Sequence, residues 1–148
     1  MIIKPRVGVQ IANFGMSKSQ VTESLGQPDK KFMSETGDEI FCYYSEGVAL
    51  QFEPENANRL GWIQVVSPDA ELWGKKVMGL RRAEVEALID THLSESKSKD
   101  DYGSWISISW EDSWLELHFS LDHLTQFNLG VPYDGDDVPI WPTSTDDG

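Results

Sequence analysis

Few residues of this 148-residue chain combine a type and a spacing that could do chemistry. The three histidines, His92, His118 and His123, fall at an expected helix end, within a strand and at a strand start. The single cysteine, Cys42, stands in the aromatic run Ile40-Phe41-Cys42-Tyr43-Tyr44 and reads as a buried structural thiol. Nucleophilic catalysis needs a nucleophile, a base and a group that orients the base. No spacing here supplies all three, so a small enzyme using His118 or His123 is the weakest reading. Asp134, Asp136 and Asp137 look like a fragment of a calcium loop without the remaining ligands or the closing glutamate. One cysteine excludes an intramolecular disulfide and a multi-cysteine zinc site. Phosphate-cradling and dinucleotide glycine loops, the helical zinc-protease motif and the nucleophile elbow are all missing. The expectation is a protein that is not an enzyme and uses no cofactor or metal.

The chemistry these residue types do support is recognition. Alternation along the expected strands sends Phe41, Tyr43, Gln51, Trp62 and Gln64 to one sheet face, followed by Trp105, Ser107, Ser109, Trp114, Glu116, His118, Gln126 and Asn128. Large aromatics mixed with hydrogen-bonding groups are the composition that interface hot spots favour. The candidate partner-binding residues are therefore Phe41, Tyr43, Trp62, Trp105 and Trp114 as anchors, with Gln64, Glu116 and His118 giving polar specificity. The competing reading is that cross-strand aromatic pairs only stabilise the sheet, or that the C-terminal tail covers them.

The elements that must position these residues come in two similar passages. Phe14-Gly15-Met16-Ser17-Lys18-Ser19-Gln20-Val21 returns in type as Met78-Gly79-Leu80-Arg81-Arg82-Ala83-Glu84-Val85. Likewise, Val48-Ala49-Leu50-Gln51-Phe52 returns as Leu115-Glu116-Leu117-His118-Phe119. Ser17 with Gln20 makes a capping box for a first helix, Met16 and Val21 make its hydrophobic staple, and Gly26 and Pro28 end it. The second helix lacks a capping side chain at Arg81 but carries a wider apolar stripe, Val85, Leu88, Ile89 and Leu93. Strands are expected over 39–45, 47–53 and 59–67 in the first passage and over 104–110, 113–120 and 123–131 in the second, with residues 94–103 as an exposed loop. The inward set begins with Ile40, Cys42 and Tyr44. The predicted fold class is α+β: two tandem helix-plus-antiparallel-sheet repeats, over 1–70 and 71–131, with helices on one face and an acidic tail over 132–148.

The phrase running from Phe14 to Val21, continued by Leu25-Gly26-Gln27-Pro28-Asp29, resembles the opening motif of the β-lactamase inhibitory protein-like fold, which small outer-membrane assembly lipoproteins share. The resemblance spans roughly residues 8–131. It implies tandem modules that present a concave sheet surface to a target enzyme. This chain has no cysteine pair and no lipidation cysteine near its start, so the implied protein is a cytoplasmic one, of the kind that bacterial immunity proteins represent.

Charge narrows the partner. Twelve basic against twenty-five acidic side chains give −13, and residues 71–148 hold six basic and sixteen acidic ones. Such a field repels nucleic-acid phosphates and anionic membranes and speeds encounter with a basic protein. Simple solubility is the alternative role for that charge. The expected function is a non-catalytic inhibitor of a basic toxin or enzyme, acting as a monomer or homodimer, with no nucleic-acid or membrane partner. A structural or assembly module is the second reading.

Overall fold

The computed structural model describes residues 1–142. In chain order the strands and helices are β1 (Ile2–Lys4), β2 (Gly8–Val9), β3 (Ala12–Asn13), α1 (Lys18–Leu25), β4 (Lys30–Met33), β5 (Glu39–Tyr43), β6 (Val48–Glu53) and β7 (Arg59–Val65). They continue as β8 (Glu71–Leu72), β9 (Lys75–Lys76), α2 (Arg82–His92), β10 (Ser98–Asp101), β11 (Trp105–Trp110), β12 (Leu115–Ser120) and β13 (His123–Gly130). One eight-stranded antiparallel sheet runs in the order β10-β11-β12-β13-β7-β6-β5-β4, and a five-stranded sheet runs β3-β2-β1-β8-β9.

Cross-strand register explains why the large sheet buries one face. Tyr43, Val48, Val65, Phe127, Leu117 and Ile108 are successive partners across six strands, and so are Phe41, Leu50, Ile63, Leu129, Leu115 and Trp110. These two apolar rows pack into one buried cluster with Val21 of α1, Val85 and Ile89 of α2, and Ile3, Val9, Ala12 and Leu72 of the small sheet. The helices contribute little else: Val21 is the buried residue of α1, and Val85 and Ile89 are those of α2. Helix α1 is nevertheless well begun. Ser17 Oγ accepts from the Gln20 N–H at 3.1 Å while Gln20 Oε1 accepts from the Ser17 N–H at 2.8 Å, closing the expected capping box. Arg81 gives α2 no side-chain cap, as its sequence implies.

The expected α+β architecture of two tandem helix-plus-sheet repeats is overturned. Strand is the main element among the described residues, 42% against 18% helix. Its strands merge into a single sheet because β7 pairs antiparallel with β13, setting Gln64 against Asn128 and Trp62 against Gly130. The stretches before α1 and α2, which carry no long alternation, form a sheet of their own, with β1 and β8 parallel. Residues 98–101, expected as loop, are the edge strand β10; like β4 at the other edge, it is exposed along its length and so shows no apolar alternation.

The phase expected for β5 is reversed. Phe41 and Tyr43 lie on the buried face, at 2% and 3% exposure, where the Phe41 and Phe52 ring centroids are 4.8 Å apart and Tyr43 Oη donates to the Gly26 carbonyl at 2.9 Å. Ile40 and Cys42 consequently share the opposite face, and Tyr44 is 66% exposed. Every residue from Ile40 to Tyr44 is apolar or aromatic, so the strand carries no polar position to mark its phase; pairing of Phe41 with Leu50 and of Tyr43 with Val48 sets it.

Candidate functional site

The outer face of the large sheet is built on a row between the two apolar ones. Lys30, Cys42, Ala49, Gln64, Asn128, Glu116, Ser109 and Ser98 are successive cross-strand partners from one sheet edge to the other. Strand alternation therefore collects polar groups here, with Asn128 alone of the row's polar side chains buried, at 3% exposure. Gln126 Nε2 donates to Asn128 Oδ1 at 3.1 Å, and His118 Nε2 lies 2.6 Å from Glu116 Oε1. The Trp105 ring stands against His118 with centroids 4.8 Å apart, and Tyr102 stacks on Trp105 at 4.3 Å.

A deeper feature lies over the pairing of β7 with β13. Two adjoining cavities, of about 270 and 550 Å³, share Trp62 and Trp114 as walls. Trp62 sits beside a β-bulge opposite Gln51 and Phe52. Trp114 follows the short 3₁₀ turn Glu111–Ser113, with a left-handed backbone at φ 51°, its N–H donating to Glu111 and its carbonyl accepting from Gly130. A tryptophan in that conformation costs of order 1–2 kcal/mol, and Trp114 is also 44% exposed. Strained backbone of this kind concentrates where a side chain must be presented.

Two glycines form the floor. A Cβ on Gly130 would lie 2.7 Å from Trp62 Cε3, so the bare backbone is what lets that indole settle; Trp114 Cε3, at 3.5 Å, would be in ordinary contact with it. A Cβ on Gly61 would overlap the Glu53 carboxylate, which lies across that residue. Glu53 Oε1 accepts from Asn56 Nδ2 at 3.1 Å, the same amide reaches Tyr133 Oη at 2.9 Å, and the Tyr133 ring lies 5.9 Å from Trp114.

The cleft is electronegative. Burial raises the Glu53 carboxyl above the usual range, the Asn56 hydrogen bond works against that, and the charges of Asp38 and Glu55 add to the rise. Burial likewise raises the Tyr133 phenol, with Glu53, Glu55 and Asp38 adding to it against the Asn56 bond. Ion pairs among the described residues do not involve Glu53, Glu55, Glu111 or Asp137. Arg59 is paired with Glu53 across the strands but lays its guanidinium over the Trp141 ring, 5.7 Å from the centroid.

Of the residues expected to bind a partner, Trp62 and Trp114 meet at the cleft, Gln64 and Glu116 lie on the polar row beside it, and Trp105 and His118 form a separate cluster toward β10. Phe41 and Tyr43 are core residues and leave the site. Glu53, Asn56, Gly61, Gly130 and Tyr133 were not anticipated; the available signal was glycine inside two alternating strands, which marks a close approach. Of the tail, Tyr133 and Asp137 line the cleft, with Tyr133 beside Trp114, whereas Trp141 sits against Gly15, where an added Cβ would lie 3.3 Å from its ring. Residues 143–148 of the tail lie outside the described residues. Asp134, considered for calcium, instead accepts backbone N–H groups from Asp136 and Val138. No group of His, Cys, Asp and Glu among the described residues is placed to hold a metal ion, and none of their helices is long and apolar enough to cross a membrane.

No protein-family model matches the chain, and no curated protein does. Among solved structures it is similar to an extracellular protein containing an SCP domain from Bacillus anthracis str. Ames, at 14% identity and a TM-score of 0.54. That match covers 90% of this chain and 51% of the other, so the chain spans about half the length of its structural neighbour. At this identity the likeness is one of fold.

Proposed function

We propose that this protein is a non-catalytic inhibitor that binds a basic protein partner through the outer face of its eight-stranded sheet, acting as a cytoplasmic immunity protein against a toxin or enzyme. The observation that carries the reading is the place and composition of the cleft. Trp62 and Gly130 belong to β7 and β13, the two middle strands of the sheet order, and hot spots cluster near the centre of an interface around aromatic anchors. Glu53, Glu55, Glu111 and Asp137, which form no ion pair with a described residue, surround those anchors, which suits a partner of opposite sign and disfavours a second copy of a chain carrying −13. Catalysis has no comparable support, because the one histidine–carboxylate pair among the described residues, His118 with Glu116, has no nucleophile bonded to it there.

The test uses the full chain as bait against extracts of its native host, side by side with a Trp62→Ala/Trp114→Ala variant. The expected result is one basic protein held by the parent and lost by the variant, whose activity the parent suppresses in a purified assay. Circular dichroism of the variant separates lost binding from lost folding. A partner held equally by both proteins would reject the cleft as the binding centre.

A further inference from the structure

We infer that the Trp62–Trp114 cleft is an arginine-receiving pocket, in which the guanidinium of a partner's arginine stacks on the indoles and meets Glu53 as its counter-charge; this rests on the protein-binding reading above. Three features converge on that chemistry. Both walls are indoles, the aromatic groups that attract cations best over their faces, and a planar guanidinium stacks on them as a compact ammonium does not. The carboxylate nearest the floor reaches over Gly61 with Oε1 foremost, accepts a hydrogen bond from Asn56, and forms no ion pair with a described residue. Its neighbours in the cavity, Glu55, Asp137 and Tyr133, bring no positive charge, and the guanidinium of its cross-strand partner Arg59 is drawn over the Trp141 ring.

The two cavities differ in size: the one that Glu116 and Ser109 close on the far side of the tryptophans is about 270 Å³. The larger one, about 550 Å³, is where Glu53 lies, and it leaves room for the aliphatic stem beside Val131. Burial weakens the tendency of Glu53 to ionise, and an incoming guanidinium would restore it. An unoccupied pocket of this design therefore discriminates charge as well as shape.

Nitrogen-15 spectra of the intact protein, following the indole N–H signals, test this directly with N-acetyl-arginine methylamide as the probe. The citrulline analogue, which keeps the shape without the charge, and the lysine analogue serve as comparisons. Saturable shifts at Trp62 and Trp114 with the arginine compound are expected, with little change at Trp105, and about tenfold weaker binding by Glu53→Gln, as loss of one charge-assisted contact implies. Equal binding of citrulline or lysine analogues, or an unaltered affinity in Glu53→Gln, would overturn the proposal. Because the probe is a single blocked residue, a negative result here leaves the capture experiment above to stand or fall by itself.

Discussion

Replacing Gly130 with alanine asks whether the floor of the cleft is bare because an indole needs it. The added Cβ would lie 2.7 Å from Trp62 Cε3, 2.9 Å from Cζ3 and 3.5 Å from Trp114 Cε3. Non-bonded carbons settle at about 3.5–4.0 Å, so the Trp62 ring must retreat by about 1 Å. Forcing a methyl into a packed site costs about 1–3 kcal/mol, while alanine in place of glycine returns about 0.4–1 kcal/mol by restricting the unfolded chain. Trp62 is half-buried and can yield toward solvent, which puts the cost at the low end. The net expectation is a loss of about 1 kcal/mol, or a fall in Tm of about 2–4 °C for a chain this long. Thermal unfolding followed by near-ultraviolet circular dichroism reads both the stability and the displaced indole. In a Trp62→Ala background the steric cost should vanish, leaving Gly130→Ala neutral or stabilising, a coupling that only a direct contact produces. A Gly130→Ala protein that melts higher than the parent, with an unchanged near-ultraviolet spectrum, would refute the packing on which the cleft depends.

Glu53→Gln is expected to stabilise the protein near neutral pH, because a carboxyl whose folded pKa is raised contributes stability below its unfolded pKa and loses it as pH rises through the folded one. Melting curves across the acid range should show that advantage vanishing below the ordinary glutamate range; an advantage independent of pH would contradict the assignment. Ser17→Ala removes the capping-box acceptor of α1 and should cost about 1 kcal/mol in urea unfolding, with no effect meaning that the helix start is held by other groups. Phe41→Ala should cost about 3–5 kcal/mol as a core truncation, whereas Trp114→Ala, at a site 44% exposed, should cost much less while removing partner binding; comparable losses in the two variants would mean that Trp114 is a packing residue.

The local features legible in the sequence are those in which one residue type has one job. Ser17 and Gln20 announce their helix start, and the two-residue turn at Leu121 and Asp122 closes with both residues at positive φ, 49° and 69°. Strands β6 and β12 alternate cleanly between buried and half-buried positions, while β7 and β13 change phase where the register shifts beside them. The misassigned residues are those without such contrast. Strand β5 is apolar at every central position, so its phase comes from β6 and not from itself. Edge strands β4 and β10 are exposed at every position and exist through hydrogen bonding to a neighbour. The pairing of β7 with β13 joins segments far apart in the chain, and no local pattern records it. That pairing turns expected modules into one sheet, and it also brings Gly61, Trp62 and Gly130 together. The cleft was hidden from sequence reading for the same reason as the architecture.

How the sheet treats its edges bears on which surface is available to a partner. An unpaired edge strand invites further strands unless charge discourages them. One edge here is Lys30-Lys31-Phe32-Met33 and the other is Ser98-Lys99-Asp100-Asp101, both exposed along their length and both carrying charge. Edge-to-edge addition of another chain is thus opposed at both ends, and the inner face is filled by the helices and the small sheet. What remains is the outer face, whose polar row would by itself be an ordinary solvated surface. Its middle carries a tryptophan at positive φ, two glycines that admit side chains onto the backbone, and a part-buried carboxylate that forms no ion pair with a described residue. Each of these costs stability or adds none, and nothing in the folding of the sheet requires all of them at one place. A surface that gathers such costs where two central strands meet is better explained by what it must bind than by how it must fold.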